Sequence, residues 1–251
     1  MTDSFGVKEK VVILTGGAGF LGAHYAKALR AAGAVVVVFD TKGQEKHLDI
    51  TDESAVVRAV AEVEKEYKRI DVLINNAAMN PAIGSDESKK MFVPLEDYSV
   101  ELWRKELEVN LTGMFICIKA VVPFMKKQSK GVIINVASEV SNIAHDHRVY
   151  NAAGKYKSPA YVTSKTGVVG LTRACAAQLG QFGIRVNAFS PGGVENMKMP
   201  PEFVKRFGSS NMFGRMAKPD EYNALLQFLC SDASSFMTGV NLTADAGKSA
   251  W

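Results

Sequence analysis

Cysteine is scarce in this chain of 251 residues: Cys117, Cys175 and Cys230 are the whole set, each beside apolar neighbours. None belongs to a CxxC pair or lies near a histidine, which argues against a disulfide framework, a thiol nucleophile and a zinc site. Buried thiols in a reducing compartment are the expectation. A basic tail is missing too, as is any stripe of arginine interleaved with aromatics. The formal charge of +4 comes from dispersed lysines and arginines, so nucleic acid is not an expected partner. No segment approaches the ~18 consecutive apolar residues of a membrane span. The opening "MTDSFGVKEKVVILTGG" offers too short an apolar run for a signal peptide. No membrane association, a cytoplasmic location and a small-molecule ligand follow as expectations. Linkers, internal repeats and low-complexity tracts are also absent, so residues 1–251 are read as one domain.

What the chain does have is alternation. "VVILT" (11–15) is a β-branched run ending in glycines, as expected of a strand buried on both faces. In "FLGAHYAKALRAAG", Leu21, Tyr25, Ala28 and Leu29 share a helical face and Gly33 marks the stop. "AVVVVFD" (34–40) is a second buried strand, completing a βαβ unit. Helices are then predicted over "SAVVRAVAEVEKEY", "VELWRKELEVNLTGMFICIKAVVPFMKK", "AYVTSKTGVVGLTRACAAQLGQF" and "PDEYNALLQFLCSD". Strands are predicted over "IDVLINNAA", "GVIINVAS", "IRVNAFSPGG" and "GVNLTAD". Alternation of this kind predicts an α/β fold, a doubly wound parallel sheet with helices on both faces. Only "TKGQEKHL" separates Asp40 from Asp49. A helical crossover needs a dozen or more residues, so the third strand is predicted to be a stub reached by an extended connection.

"TGGAGFLG" (15–22) lies where a strand passes into a helix. Gly16 allows the tight turn, Gly19 lets backbone approach a pyrophosphate, and Gly22 lets the helix pack on the sheet. The helix N-terminus offers free N–H groups to the phosphates. Asp40, ending the second strand, is placed to hold adenosine ribose hydroxyls and to repel a 2′-phosphate; Lys42 tempers that preference. NAD is therefore expected over NADP.

Three tyrosines crowd "RVYNAAGKYKSPAYVTSK" (148–165). A tyrosine that moves protons near neutrality must lose ~2–3 units from its pKa of ~10. A lysine about 5 Å away contributes on the order of 3 kcal/mol toward that at an effective dielectric of ~20. Tyr161 has Lys165 at i+4 on a predicted helix face, whereas Tyr150 meets Gly154 and Tyr156 meets Ala160 at that offset. Ser158-Pro159 reads as an N-cap followed by proline in the first turn, which puts Tyr161 near the positive end of the helix dipole.

Together "TGGAGFLG", "NNAA" (75–78), the asparagine of "EVNLTG", Ser138 in "INVAS", "YVTSK" and "RVNAFSPGG" resemble, in order, the motifs of the short-chain dehydrogenase/reductase family. That resemblance runs from about residue 10 to the C-terminus and implies a Rossmann fold and an NAD(P)-dependent oxidoreductase. Carried over, it implies Tyr161 as general acid/base, Ser138 holding the reacting oxygen, Lys165 lowering the tyrosine pKa and touching the nicotinamide ribose, and Asn110 holding a relay water. The cofactor would be lined by Gly16, Gly19, Phe20, Leu21, Asp40, Asp49, Ile50, Asn76, Ala77, Ala78, Pro191, Gly192 and Val194, with Tyr161 and Lys165. The family spacing from serine to tyrosine would suit Tyr150 instead, twelve residues after Ser138. Choosing Tyr161 makes 141–158 an inserted loop at the substrate end, carrying Tyr150, His145, His147 and Arg148. Ser138, Tyr150, His147 and Tyr161 are then the substrate candidates, with Arg148 and the histidines suited to an anionic or sugar-like group. The HxH pair lacks a third ligand, so no metal is expected.

The glycine spacing departs from compact family members at Phe20, while "PGG" and "SSFMTGVNLTADAG" resemble them. "NNAAMNP", the insertion, "GRMAKPDEYNALLQFLCSDASSFMTG" and the final "SAW" are similar to oxidoreductases of flagellin modification and surface-polysaccharide sugars. The implied substrate is a sugar or nucleotide-sugar alcohol or ketone. A homodimer or homotetramer is implied as well, formed through helices around 101–127 and 160–182. A NAD(H)-binding regulator without turnover is the alternative.

Overall fold

The computed structural model describes residues 5–43, 46–81, 85–150 and 156–251. In chain order the main elements are β1 (Val11–Thr15), α1 (Phe20–Ala31), β2 (Val35–Asp40), β3 (Lys46–His47), α2 (Glu53–Tyr67) and β4 (Val72–Asn75). There follow α3 (Asp86–Met91), α4 (Val100–Leu107), α5 (Gly113–Gln128), β5 (Gly131–Val136), α6 (His147–Tyr150) and α7 (Pro159–Leu179). The chain closes with β6 (Ile184–Pro191), α8 (Pro201–Gly208), α9 (Asn223–Cys230) and β7 (Asn241–Ala244). The strands form one parallel sheet in the order β3-β2-β1-β4-β5-β6-β7, a doubly wound Rossmann-type α/β fold.

Val12, Ile13, Leu14, Leu73, Ile74, Ile133 and Ile134 are fully buried, because helices cover both faces of the sheet. Each such side chain stabilises the fold by about 1.5–3 kcal/mol. One core joins α2, α5 and α7 to the sheet through residues such as Val60, Val121 and Leu179. The other joins α1 and α9 through Tyr25, Leu29 and Leu226. Register places Thr15 beside Asn75 and Asn75 beside Asn135. Asn75 donates to Asn135 Oδ1 at 2.9 Å, and Asn135 to Thr172 Oγ1 at 3.0 Å. This buried polar row pins α7 against the carboxyl ends of the central strands.

β3 is two residues long, the stub expected from the short Asp40–Asp49 spacing. The helix expected over 100–127 is continuous, but at Glu108–Thr112 it widens into a π-segment. Such bulges accompany side chains that bond outside the helix ladder, and Asn110 does so here. This run, Val100–Gln128, is long and apolar enough to cross a membrane by length and composition; Met114, Ile118, Val121 and Met125 are buried. Helices α3 and α8 have no counterpart in the alternation read from sequence. Both are short; α8 is held by Phe203 and Phe207, one helical turn apart and buried. Part of the 141–158 insertion is also regular, as α6, while Asn151–Lys155 lie outside the described residues.

Candidate active site

The glycine loop behaves as its spacing implies. Gly16 has φ +68°, and a Cβ there would lie 2.7 Å from Ala77 Cα; at Gly22 a Cβ would lie 2.1 Å from Gly16 O. Gly19 caps α1 without a side-chain bond, so the first-turn N–H groups at Phe20 and Leu21 have no side-chain cap. Those are the donors a pyrophosphate needs. Thr15 Oγ1 accepts from the Asn76 and Ala77 N–H groups, and Asn76 Nδ2 donates to Thr15 O and Gly16 O. "NNAA" therefore braces the loop from below, with Ala78 exposed beyond it. Asp40 accepts from Ala18 N at 2.9 Å and Lys42 N at 2.8 Å, one bond per carboxylate oxygen. Each oxygen keeps a lone pair for a ribose hydroxyl.

At the edges of this groove, Asp49 accepts from Thr51 N and Oγ1. Ile50 is buried beneath Gly113, whose Cβ would lie 2.7 Å from it, so its backbone rather than its side chain is left for a ligand. Gly192 follows Pro191 at the end of β6 and donates to Ala244 O; Val194 forms a bridge with Ala217. These residues lie at the carboxyl edge of the sheet, where doubly wound folds hold ligands.

Tyr161 occupies the first turn of α7, as Ser158-Pro159 predicts: the Ser158 hydroxyl accepts from Tyr161 N at 3.2 Å and Pro159 opens the helix. The Tyr161 side chain is buried. Burial pushes its phenol up to about 12; a hydrogen bond with Ser138 pulls the other way, and the charges of Glu139 and Glu106 add to the rise. Lys165 is buried one turn on. Its Nζ donates to Val136 O at 2.7 Å and lies 5.8 Å from the Tyr161 ring centroid. Burial pulls Lys165 down to about 8. Desolvation is the largest influence on the Tyr161 phenol and Lys165 is not among the groups that shift it, so the downward pull expected of that lysine does not show here.

Asn110 is fully buried. Its Oδ1 accepts from Met79 N at 2.7 Å and its Nδ2 donates to Ser164 Oγ at 3.3 Å, so it ties the loop after β4 to α7. Ser138 begins a 3₁₀ turn over Glu139–Ser141. Glu139 forms a buried ion pair with Lys248 at 2.8 Å, and Lys248 Nζ lies 4.0 Å from the Phe207 ring centroid.

Of the insertion's four residues named from the sequence, the structure brings His145 and Tyr150 toward Tyr161. His145 stacks on the Tyr161 ring at 6.0 Å, and Tyr150 meets His145 at 5.5 Å and Phe203 at 5.5 Å. Burial pushes the His145 imidazole down to about 3, which keeps it neutral. Burial also raises the Tyr150 phenol. His147 is not brought in: it is exposed and packs on Tyr156 at 5.2 Å. Arg148 is exposed and paired with Asp146 through both carboxylate oxygens. Among the described residues no cluster of three His, Cys, Asp or Glu could hold a metal.

Sequence reasoning missed Lys157. Its Nζ lies 4.7 Å from the Tyr161 ring centroid, closer than Lys165. The signal was there, four residues before Tyr161 rather than four after it.

A family model described as Enoyl-(Acyl carrier protein) reductase matches residues 17–249. The chain is 36% identical to trans-4-hydroxycyclohexanecarboxylate dehydrogenase of Sinomonas cyclohexanicum, over 97% of this chain and 94% of that protein. It is 34% identical to meso-2,3-butanediol dehydrogenase of Serratia marcescens, over 96% and 95%. The structure of a short-chain dehydrogenase from Leptospira borgpetersenii serovar Hardjo-bovis with bound NAD+ superposes with a TM-score of 0.88 at 27% identity, covering 99% of this chain and 96% of that one. With its sheet order, glycine loop and Ser–Tyr–Lys grouping, the chain belongs to the short-chain dehydrogenase/reductase family.

Proposed function

We propose that the protein interconverts a secondary alcohol and its ketone with NAD(P), with Tyr161 as the general acid/base. The observation that carries this reading is the burial of Tyr161 between the Ser138 hydroxyl and Lys165 at the carboxyl edge of the sheet. The dinucleotide, when bound, supplies the hydride acceptor or donor. Ser138 holds the substrate oxygen, and Tyr161 Oη takes its proton in oxidation or returns it in reduction. Lys165 favours the phenolate and holds the nicotinamide ribose, while Asn110 fixes the loop that carries the cofactor-facing "NNAA". Asp40 selects NAD over NADP by repelling a 2′-phosphate.

Cofactor and substrate are held within one domain, in the cytoplasm, by a homodimer or homotetramer formed through α4–α5 and α7; half-exposed Phe115 on α5 suits such a contact. Secondary alcohols are what the names of the hydroxycyclohexanecarboxylate and butanediol relatives imply. Resemblance in sequence points to a sugar derivative, whereas the wall formed by Phe92, Tyr150 and Phe203 favours an apolar carbon skeleton. A binding-only regulator would need neither Ser138 nor the Tyr161–Lys165 pair.

The test is NAD⁺ and NADP⁺ turnover over sugar, polyol and cyclic alcohol panels for wild type, Tyr161→Phe and Tyr150→Phe. Tyr161→Phe is expected to lower kcat by about 10²–10⁴ while NADH still binds, and Tyr150→Phe to stay within about tenfold of wild type. A dead Tyr150→Phe beside an active Tyr161→Phe overturns the assignment. NADH binding without turnover of any alcohol supports the regulator.

A further inference from the structure

Lys157 is a buried ammonium with no carboxylate partner among the described residues. The residue is 8% exposed, and Asn80 Oδ1 is the one hydrogen-bond acceptor of its ammonium among the described residues. It lies 4.6 Å from the Phe92 ring centroid and 4.7 Å from that of Tyr161. Glu106 is the acid that acts on it electrostatically. Oε2 of that carboxylate accepts from Tyr98 Oη at 2.7 Å and Ser158 Oγ at 2.6 Å while its Oε1 is buried without a partner, and burial drives the group toward its neutral form. An ammonium carries three N–H donors, so two of Lys157's have no acceptor among the described residues.

Other cations near the ring are committed. Lys248 pairs with Glu139, and Lys165 donates to Val136 O, with its remaining donors assigned above to the nicotinamide ribose. A second unpaired group sits on the same ring: His145 Nε2 is buried without a partner, and its imidazole stacks on Tyr161. Enclosing an ammonium in this way is unfavourable unless an opposite charge meets it directly.

We propose that Lys157 anchors a carboxylate on the substrate, so that the alcohol or ketone reacting at Tyr161 is a hydroxy or oxo acid with an apolar body. A single ammonium beside a neutral amide matches a monoanion better than a phosphate dianion. The rings of Phe92 and Tyr161 suit hydrocarbon next to that charge. His145 offers the same group a neutral N–H. Burial lowers Lys157 to about 8, which leaves it charged at neutral pH. The inference rests on Tyr161 being the reacting group.

Two measurements on the full-length chain test it. Calorimetric titration with cyclohexanecarboxylate, in the presence of NADH, reads the anchor without turnover. Wild type is expected to bind it about 30–100-fold more tightly than Lys157→Met does, a difference of about 2–3 kcal/mol, with Lys157→Arg recovering part of the loss. Kinetics then compare 4-hydroxycyclohexanecarboxylate with its uncharged carboxamide. The loss in kcat/KM for Lys157→Met is expected to be larger on the acid than on the amide by the same factor, and to lie in KM. Equal losses on both substrates would make Lys157 a packing support for Tyr161 and overturn the proposal, as would equal binding of the acid to wild type and variant. Acid binding through Lys157 without turnover of any alcohol would remove the activity proposed above and leave the anchor. Turnover of neutral alcohols without acid binding would do the reverse.

Discussion

Replacing Lys165 with methionine tests whether that lysine acts on the proton or only on the cofactor. Its ammonium lies 5.8 Å from the Tyr161 ring centroid. At an effective dielectric of ~20 a charge at that distance favours a phenolate by about 3 kcal/mol, roughly two pK units. Burial and the charges of Glu139 and Glu106, against the Ser138 hydrogen bond, place the phenol at about 12, so losing the ammonium carries it further from the working range. Lys165 titrates near about 8, so its contribution is present below that pH and fades above it. The assay is kcat for alcohol oxidation against pH at saturating cofactor, with wild type beside Lys165→Met and Lys165→Arg. The wild-type rate should fall above about pH 8 as Lys165 loses its proton; Lys165→Met should lose that fall and run about a hundredfold lower below it, and Lys165→Arg should hold its rate to higher pH. Val136 O loses its donor, which costs about 1–3 kcal/mol, so thermal midpoints are measured alongside to confirm folding. Superimposed profiles, with only the cofactor KM raised, would refute the electrostatic role and leave Lys165 as a ribose ligand.

Two further substitutions probe the scaffold. Gly22→Ala puts a methyl 2.1 Å from Gly16 O and should weaken NADH binding, read by fluorescence, by more than about tenfold. Gly170→Ala, which meets nothing within 4 Å, should bind normally and be slightly stabilised by better helix propensity; comparable binding by both variants would show that the loop tolerates displacement. Lys248→Met leaves Glu139 buried and unpaired, a loss of about 3–5 kcal/mol, which corresponds to a fall in Tm of about 6–20 °C for a chain of this size. Glu139→Gln in the same chain should recover part of that fall, and a Tm within about 2 °C of wild type for Lys248→Met would show that the pair contributes nothing.

Local signals in the sequence carried a large part of this structure. Four buried β-branched residues before a glycine turn locate β1, and the spacing of Leu21, Tyr25 and Leu29 locates α1 and its buried face. Eight residues between Asp40 and Asp49 were too few for a helix, and β3 is the stub that results. Ser158-Pro159 sets the first turn of α7, and so the placement of Tyr161. Interactions distant in sequence were not legible: Glu139 and Lys248 are 109 positions apart, and nothing local in either marks the other. His145 and His147 look equivalent in the chain, but they face different surroundings once α6 forms. Lys157 precedes the Ser158 N-cap, where the chain is not yet helical, so helical spacing does not link it to Tyr161.

Lys157 also changes how the charge around Tyr161 is understood. With Lys165 alone, the site would be one cation serving one phenol. The structure instead surrounds the phenol with two buried lysines and two buried glutamates. Glu139 and Glu106 both oppose the phenolate. Glu139 is held by Lys248 and Glu106 by hydroxyl donors, which limits what each does to the ring. Burial lowers both lysines to about 8, so neither is a fixed charge at alkaline pH. A carboxylate arriving at Lys157 would hold that lysine protonated and at the same time cancel most of its field at Tyr161. The phenol would then depend on Ser138 and Lys165. On this arrangement Lys157 selects the substrate, Lys165 tunes the proton transfer, and the two roles separate in the acid-against-amide comparison and the pH profile.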